Sequence, residues 1–242
     1  MKSVLLTGSM ILGGLLFGAC LSSEEPAPGD LDVDPLAAAA CTPVHIITAR
    51  ASGEAPGEGI TGALASQIIR ESDQQISRAN VNYPATLNNY ASSSRQGVTA
   101  LKAQLTAQVQ ACPDQKIVLL GYSQGAHVIL DAVGGGGGGS LGAATPPLPD
   151  NISSHVVAFA SFGDPRHVIN QAFDLGSSRR NGLFPRNATQ LGVLRGFADK
   201  IQAYCDRNDT FCDSGFSINT HLTYLNRVQD DAAEFVLGKI GG

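Results

Sequence analysis

The 242-residue chain has no tryptophan, two methionines and only five tyrosines. Flat aromatic rings are the usual platforms for sugars, so any grip on a polysaccharide has to be modest. Charge is scarce as well. Lys, Arg, Asp and Glu together make up 15% of residues, the formal net charge is −5, and no run of Lys and Arg occurs. Without a basic stripe, nucleic acid and anionic membrane surfaces are excluded as expected partners. Low charge beside 43% hydrophobic residues also excludes a disordered tail and allows a large core. No internal repeat is visible, and the length suits one α/β domain. A monomer acting on an uncharged or weakly charged substrate is expected.

One apolar run, "VLLTGSMILGGLLFGAC" after Lys2, is too short for a comfortable membrane span and reads as a secretion signal over residues 1–20. Residues 21–40, "LSSEEPAPGDLDVDPLAAAA", lack periodicity and read as a propeptide or disordered leader, which leaves 41–242 as the folded domain. Cysteines are few. Cys20 falls in the signal, and Cys41, Cys112, Cys205 and Cys212 remain, an even count that suits secretion. Four cysteines permit three pairings; the closeness of Cys205 to Cys212 favours a local ring and leaves Cys41 to Cys112. Sequons at Asn151, Asn187 and Asn208 are compatible with an extracellular chain, although the third is expected to stay unmodified.

From Cys41 onward, apolar runs alternate with amphipathic ones, the rhythm of a parallel sheet covered by helices. Strands are expected at 44–50, 80–85, 116–121, 155–163 and, last, 200–205. Helices are expected at 60–77, at 94–112 with Val98, Leu101, Leu105 and Val109 on one stripe, from Gly121 to about Val133, and at 219–240. Six glycines, Gly134 to Gly139, stop the third helix and read as a flexible loop. The fold class is α/β, a three-layer α/β/α sandwich with a central parallel sheet.

The apolar strand "KIVLLG" leads into "GYSQG", Gly121 to Gly125. A nucleophile on a sharp strand-to-helix turn needs small residues two positions either side, because the two backbones nearly touch there. Ser123 is therefore the candidate nucleophile, and it needs a histidine to take its proton and a carboxylate to fix that histidine. His45 sits within a strand as a packed core residue, His155 and His167 flank another strand, and His127 lies one turn along the helix that the nucleophile points away from. His221 follows every strand, as the order serine, acid, histidine requires. The acid comes from the octapeptide "CDRNDTFC", in which both Asp206 and Asp209 are available. Closing a ring of this size removes about 2.5 kcal/mol of unfolded-chain entropy.

"GYSQG", the early "TARAS", the ring "YCDRNDTFC" and the later "TH" resemble the cutinase family, which includes fungal cutinases and acetylxylan esterases of the carbohydrate esterase family 5 type. The likeness spans about Cys41 to Gly242. It implies a cutinase-like α/β-hydrolase without a lid domain, and a serine esterase that uses neither metal nor cofactor. The family's acid stands fourth after the ring's first cysteine, which falls on Asp209 rather than Asp206. The resemblance also implies the Cys41 to Cys112 disulfide and an oxyanion hole from Ser52, two residues past Arg50, and the amide of Gln124.

Gln115 and Leu120 stand where the cutinase signature has smaller residues, which points away from cutin. The insertion "RHVINQAFDLGSSRRNGLFPRNATQLGVLRG" and the glycine stretch look more like the acetylxylan esterase branch. The expected activity is deacetylation of acetylated xylan in plant cell walls. The alternatives are a cutinase or lipase-like esterase on longer acyl chains, and, from another class, a catalytically silent secreted recognition protein. Every triad position is filled, which argues against the last.

Overall fold

The computed structural model describes residues 41–241; the signal and leader expected over 1–40 lie outside the described residues. Six strands form one all-parallel sheet: β1 (Val44–Ala49), β2 (Ile76–Asn80), β3 (Lys116–Tyr122), β4 (Val156–Phe162), β5 (Asp174–Leu175) and β6 (Ile201–Tyr204). Their spatial order is β2-β1-β3-β4-β6-β5. The helices are α1 (Thr61–Glu71), α2 (Tyr90–Ala111), α3 (Gln124–Gly134), α4 (Asp150–Ser153), α5 (Ala188–Arg195), α6 (Ile218–Leu222) and α7 (Leu225–Ile240). The chain steps outward from β1 to β2 and then returns to the other side of β1 as β3. That reversal opens a crevice at the carboxyl ends of β1 and β3, where sheets of this kind place their sites.

Both faces of the sheet are covered, which is why β3 reads as an unbroken apolar run. Val118, Leu120 and Tyr122 pack with Leu64 and Ile68 of α1 and with Ala233 and Val236 of α7. Ile117 and Leu119 point the other way, against Leu101 and Leu105 of α2 and Val128 and Ile129 of α3. Each such side chain contributes about 1.5–3 kcal/mol by leaving water. Cys41 is bonded to Cys112 and Cys205 to Cys212, the pairing expected, with Cα separations of 5.7 and 5.9 Å.

Several boundaries differ from the sequence expectation. The second strand is Ile76–Asn80, paired with Val44 to Thr48, and not 80–85. It forms a sheet edge and is only half buried, so it carries no apolar run to mark it. Residues 81–85 look strand-like for another reason: Val81 and Tyr83 are buried, and the Arg50 guanidinium takes their carbonyls. The first helix accordingly stops at Glu71. The last helix is broken in two, because the Tyr122 hydroxyl donates to the carbonyl of His221 and accepts from the amide of Tyr224 at 3.4 Å. The two-residue edge strand β5 was not expected, being too short to show a pattern.

The glycine run is pinned rather than loose. Gly136 pairs antiparallel with Thr145, Gly138 donates to the carbonyl of Gly142 at 2.8 Å, and the carbonyl of Gly137 accepts from Arg166 and Gln190, each at 3.1 Å. At Gly137, with φ of 69°, a Cβ would lie 2.1 Å from the carbonyl oxygen of Ala143. Only glycine permits that approach.

Candidate active site

β3 runs directly into Ser123, which holds φ 55° and ψ −118° as α3 begins. A non-glycine residue held there costs about 1–3 kcal/mol and marks a place where geometry serves something other than stability. The flanking glycines explain how the turn closes. A Cβ on Gly121 would sit 2.6 Å from the carbonyl of Gly125, and one on Gly125 would sit 1.9 Å from the carbonyl of Ala49. The Ser123 amide donates to Phe162 at the end of β4, at 2.8 Å. The amides of the first turn of α3, Gln124 among them, have no carbonyl one turn back and carry the positive end of the helix dipole.

The residue after Phe162 brings in the histidine. Gly163 has φ 62°, and a Cβ there would lie 2.8 Å from both Cε1 and Nδ1 of His221. The imidazole therefore rests on a bare backbone at the end of β4, next to the carbonyl that holds Ser123. The ring of Phe211 covers it, with centroids 4.5 Å apart, and Tyr122 meets it edge-on. His221 Nδ1 donates to Asp209 Oδ2 at 2.9 Å, with Oδ1 at 3.1 Å. Ser123, Asp209 and His221 are thus gathered at the carboxyl edge of the sheet, although Ser123 Oγ and His221 Nε2 form no hydrogen bond among the described residues. In unliganded hydrolases that contact commonly tightens only with substrate.

Asp209 is fully buried and held from four directions. Besides His221, its carboxylate accepts from the amides of Phe211 at 2.7 Å and Cys212 at 3.0 Å and from the Tyr224 hydroxyl at 2.9 Å. Burial alone would raise its pKa, but the His221 contact and the two amides outweigh burial and hold it below the ordinary carboxylate value. Asp206 faces elsewhere. It pairs with Arg227 and accepts from Ser177 at the surface. Asn208, the residue of the third sequon, is exposed, and its side-chain oxygen accepts from the amide of Phe216 at 3.0 Å.

Ser52 lies in the loop after β1, beside the elbow that Gly125 presses against Ala49. Its Oγ is buried and has no hydrogen-bond partner among the described residues, the state of a donor left for something else. Arg50 fixes this loop by donating to Glu54, Val81 and Tyr83, while Glu54 accepts from the amides of Ala51 at 2.6 Å and Ile60 at 2.8 Å. The Gln124 side chain, bonded to Ser93 and Thr86, ties the start of α3 to the first turn of α2 and to the segment before it.

Three of the four remaining histidines are occupied elsewhere, and His155, just before β4, makes only backbone hydrogen bonds among the described residues. His127 donates to Asp131 at 3.0 Å and pairs with the Tyr90 hydroxyl at 2.9 Å; His45 pairs with Ser77, and His167 with Ser178. His127 belongs to a buried ionic cluster that sequence reading missed. Asp131 on α3 accepts from Arg166 and from Arg186 at 3.0 Å, and both arginines also engage Asp164. Burial would raise the Asp131 pKa, but His127 and the two guanidinium groups hold it well below the ordinary value. The cluster joins α3, the loop after β4, the glycine run and α5. Breaking such a pair costs about 3–5 kcal/mol. The one signal available in the sequence is the charge of "GDPRH" directly after an apolar strand.

No group of His, Cys, Asp and Glu among the described residues is arranged to hold a metal ion. No described helix is long and apolar enough to cross a membrane.

The cutinase family pattern matches residues 40–240. Acetylxylan esterase 2 of Talaromyces purpureogenus is 30% identical over 210 residues, 83% of this chain and 88% of its own length. The phospholipase Culp4 of Mycobacterium tuberculosis is 32% identical over 207 residues, 85% of this chain and 82% of its own. Among solved structures, the catalytic core of the acetylxylan esterase from Trichoderma reesei superposes with a TM-score of 0.76 at 29% identity, covering 82% of this chain and 99% of its own. The sheet order, the elbow and these relatives agree: the chain belongs to the cutinase family of serine carboxylic-ester hydrolases, on the α/β-hydrolase fold.

Proposed function

We propose that this protein is a secreted esterase that removes acetyl groups from acetylated xylan through Ser123, His221 and Asp209. The observation that carries the reading is the contact of His221 Nδ1 with Asp209, made beside a serine on a strained strand-to-helix turn. Ser123 Oγ attacks the ester carbonyl as His221 Nε2 takes its proton. Asp209 fixes the tautomer that leaves Nε2 free and stabilises the imidazolium that forms. The negative oxygen that develops is met by the amides of Ser52 and Gln124. One such donor accounts for about 3–4 kcal/mol of barrier lowering in other hydrolases. Collapse expels the sugar alcohol, which takes its proton from His221; water, activated by the same imidazole, then releases acetate.

Acetate is favoured over longer chains by the likeness to acetylxylan esterases across most of the fold. Two disulfides and the apolar amino-terminal run support secretion. The test is a panel of p-nitrophenyl esters from acetate to palmitate, together with acetylated xylan. kcat/KM should fall steeply beyond butyrate, and acetate should be released from the polymer. A maximum at longer chains would replace this substrate with a cutin-type or lipid ester.

A further inference from the structure

Four of the sixteen Lys and Arg residues gather around the ring that carries Asp209. Arg207 lies within the ring, Arg179 and Arg180 in the segment laid against it, and Arg227 at the start of α7; all four are exposed. The spacing of Arg179, Arg180 and Arg207 is set by one buried carboxylate. Asp213 Oδ1 accepts from the amides of Arg179 and Arg180, each at 2.7 Å, and its Oδ2 accepts from the amide of Asn208 at 2.8 Å. The amide of Arg207 is bonded in turn to Ser177 Oγ at 3.1 Å. Three arginine backbones are therefore clamped within a few ångströms of each other.

Their charges are poorly cancelled. Arg227 is committed to Asp206, and Arg180 reaches Asp213 only at 3.9 Å, with half its side chain in solvent. Arg179 and Arg207 have no carboxylate within 4 Å among the described residues. Asp213 is fully buried and spends its oxygens on backbone amides. The same segment continues to the site: Leu183 donates to the carbonyl of Phe211, whose ring lies on His221.

We propose that Arg179, Arg180 and Arg207 form an anion-binding subsite beside the catalytic mouth, one that selects ester substrates carrying a carboxylate a short distance from the scissile bond. Resting on the acetylxylan reading above, this names the class of chain preferred: acetylated xylan bearing uronic acid side groups, in place of the neutral polymer. Guanidinium forks match carboxylates in pairs of parallel hydrogen bonds, and a positive rim raises the local concentration of an anionic substrate. The pull of exposed charges is screened within about 8 Å at physiological salt.

The test compares kcat/KM on two acetylated xylo-oligosaccharides that differ only by a uronic acid group, at low salt and in 0.5 M salt. The wild-type protein is set against Arg179→Ala/Arg207→Ala, with p-nitrophenyl acetate as the control. The subsite requires about a three- to ten-fold preference for the acidic oligosaccharide at low salt, lost in the variant and in high salt, with p-nitrophenyl acetate turnover unchanged. Equal and salt-insensitive rates on both oligosaccharides overturn the subsite and leave the acetylxylan reading intact. Failure to cleave either one while p-nitrophenyl acetate is turned over overturns the acetylxylan reading and the subsite with it. A gain confined to phosphatidylglycerol vesicles carrying ester substrate, with no preference among sugars, assigns the arginines to a membrane and overturns the subsite too.

Discussion

The hydroxyl of Tyr224 donates to Asp209 Oδ2 at 2.9 Å and accepts from the amide of Asp206 at 2.8 Å, so one buried phenol ties the proposed catalytic acid to the start of its own disulfide ring. Tyr224 sits at the break between α6 and α7, and its ring packs edge-on to Tyr122. Without it, Asp209 would be held only by His221 and by two amides of the ring.

Tyr224→Phe keeps the ring and removes that bond. Hydrogen bonds to charged groups contribute about 1.5–3 kcal/mol. We expect kcat to fall about ten-fold or more with KM unchanged, which steady-state kinetics checks. Unchanged kcat with lower stability would mean that the hydroxyl serves only the fold.

The two aspartates of the ring should separate cleanly. Asp209→Asn removes the acceptor that orients His221, and comparable changes in other triads cost about 10⁴ in kcat. Asp206→Asn loses a surface pair with Arg227 worth about 0–1 kcal/mol, and kcat should stay within about two-fold of wild type. Equal losses at both positions would mean that the acid is misassigned.

Asp174 gives a pH dependence that is independent of catalysis. Its Oδ2 accepts from the amide of Gln171 at 2.7 Å, but its Oδ1 has no hydrogen-bond partner among the described residues, and His167 stands 3.7 Å away. Burial dominates both groups, pushing the Asp174 carboxyl up to about 6 and His167 below its ordinary value, so proximity does not make them an ion pair. The folded state holds a proton that the unfolded chain releases near 3.8, so stability falls as pH rises from there to about 6. Asp174→Asn should match wild type near pH 4 and show the higher urea midpoint at pH 7.5. A lower midpoint for the variant at pH 7.5 would contradict this.

The buried strands and the elbow were legible because each rests on local sequence, an unbroken apolar run and glycines two positions from a serine, and the disulfides followed from two cysteines seven positions apart and two left over. Chain order singled out His221, and family spacing chose Asp209 over Asp206. What the sequence hid depends on distant partners. β2 carries "ISRAN" because an edge strand need not be apolar, and the glycine run is fixed by Arg166 and Gln190, which lie in the insertion some thirty to fifty residues further on. Tyr224 and Gly163 have no local signature, and the cluster around Asp131 shows only the charge of "GDPRH", since each acts through a residue brought close only by the sheet.

The role of Ser123 as nucleophile is tested by incubation with a p-nitrophenyl phosphonate followed by peptide mass spectrometry. One covalent adduct is expected, on the peptide containing Ser123, forming as esterase activity is lost and absent from Ser123→Ala. An adduct on another residue, or full esterase activity in Ser123→Ala, would contradict it.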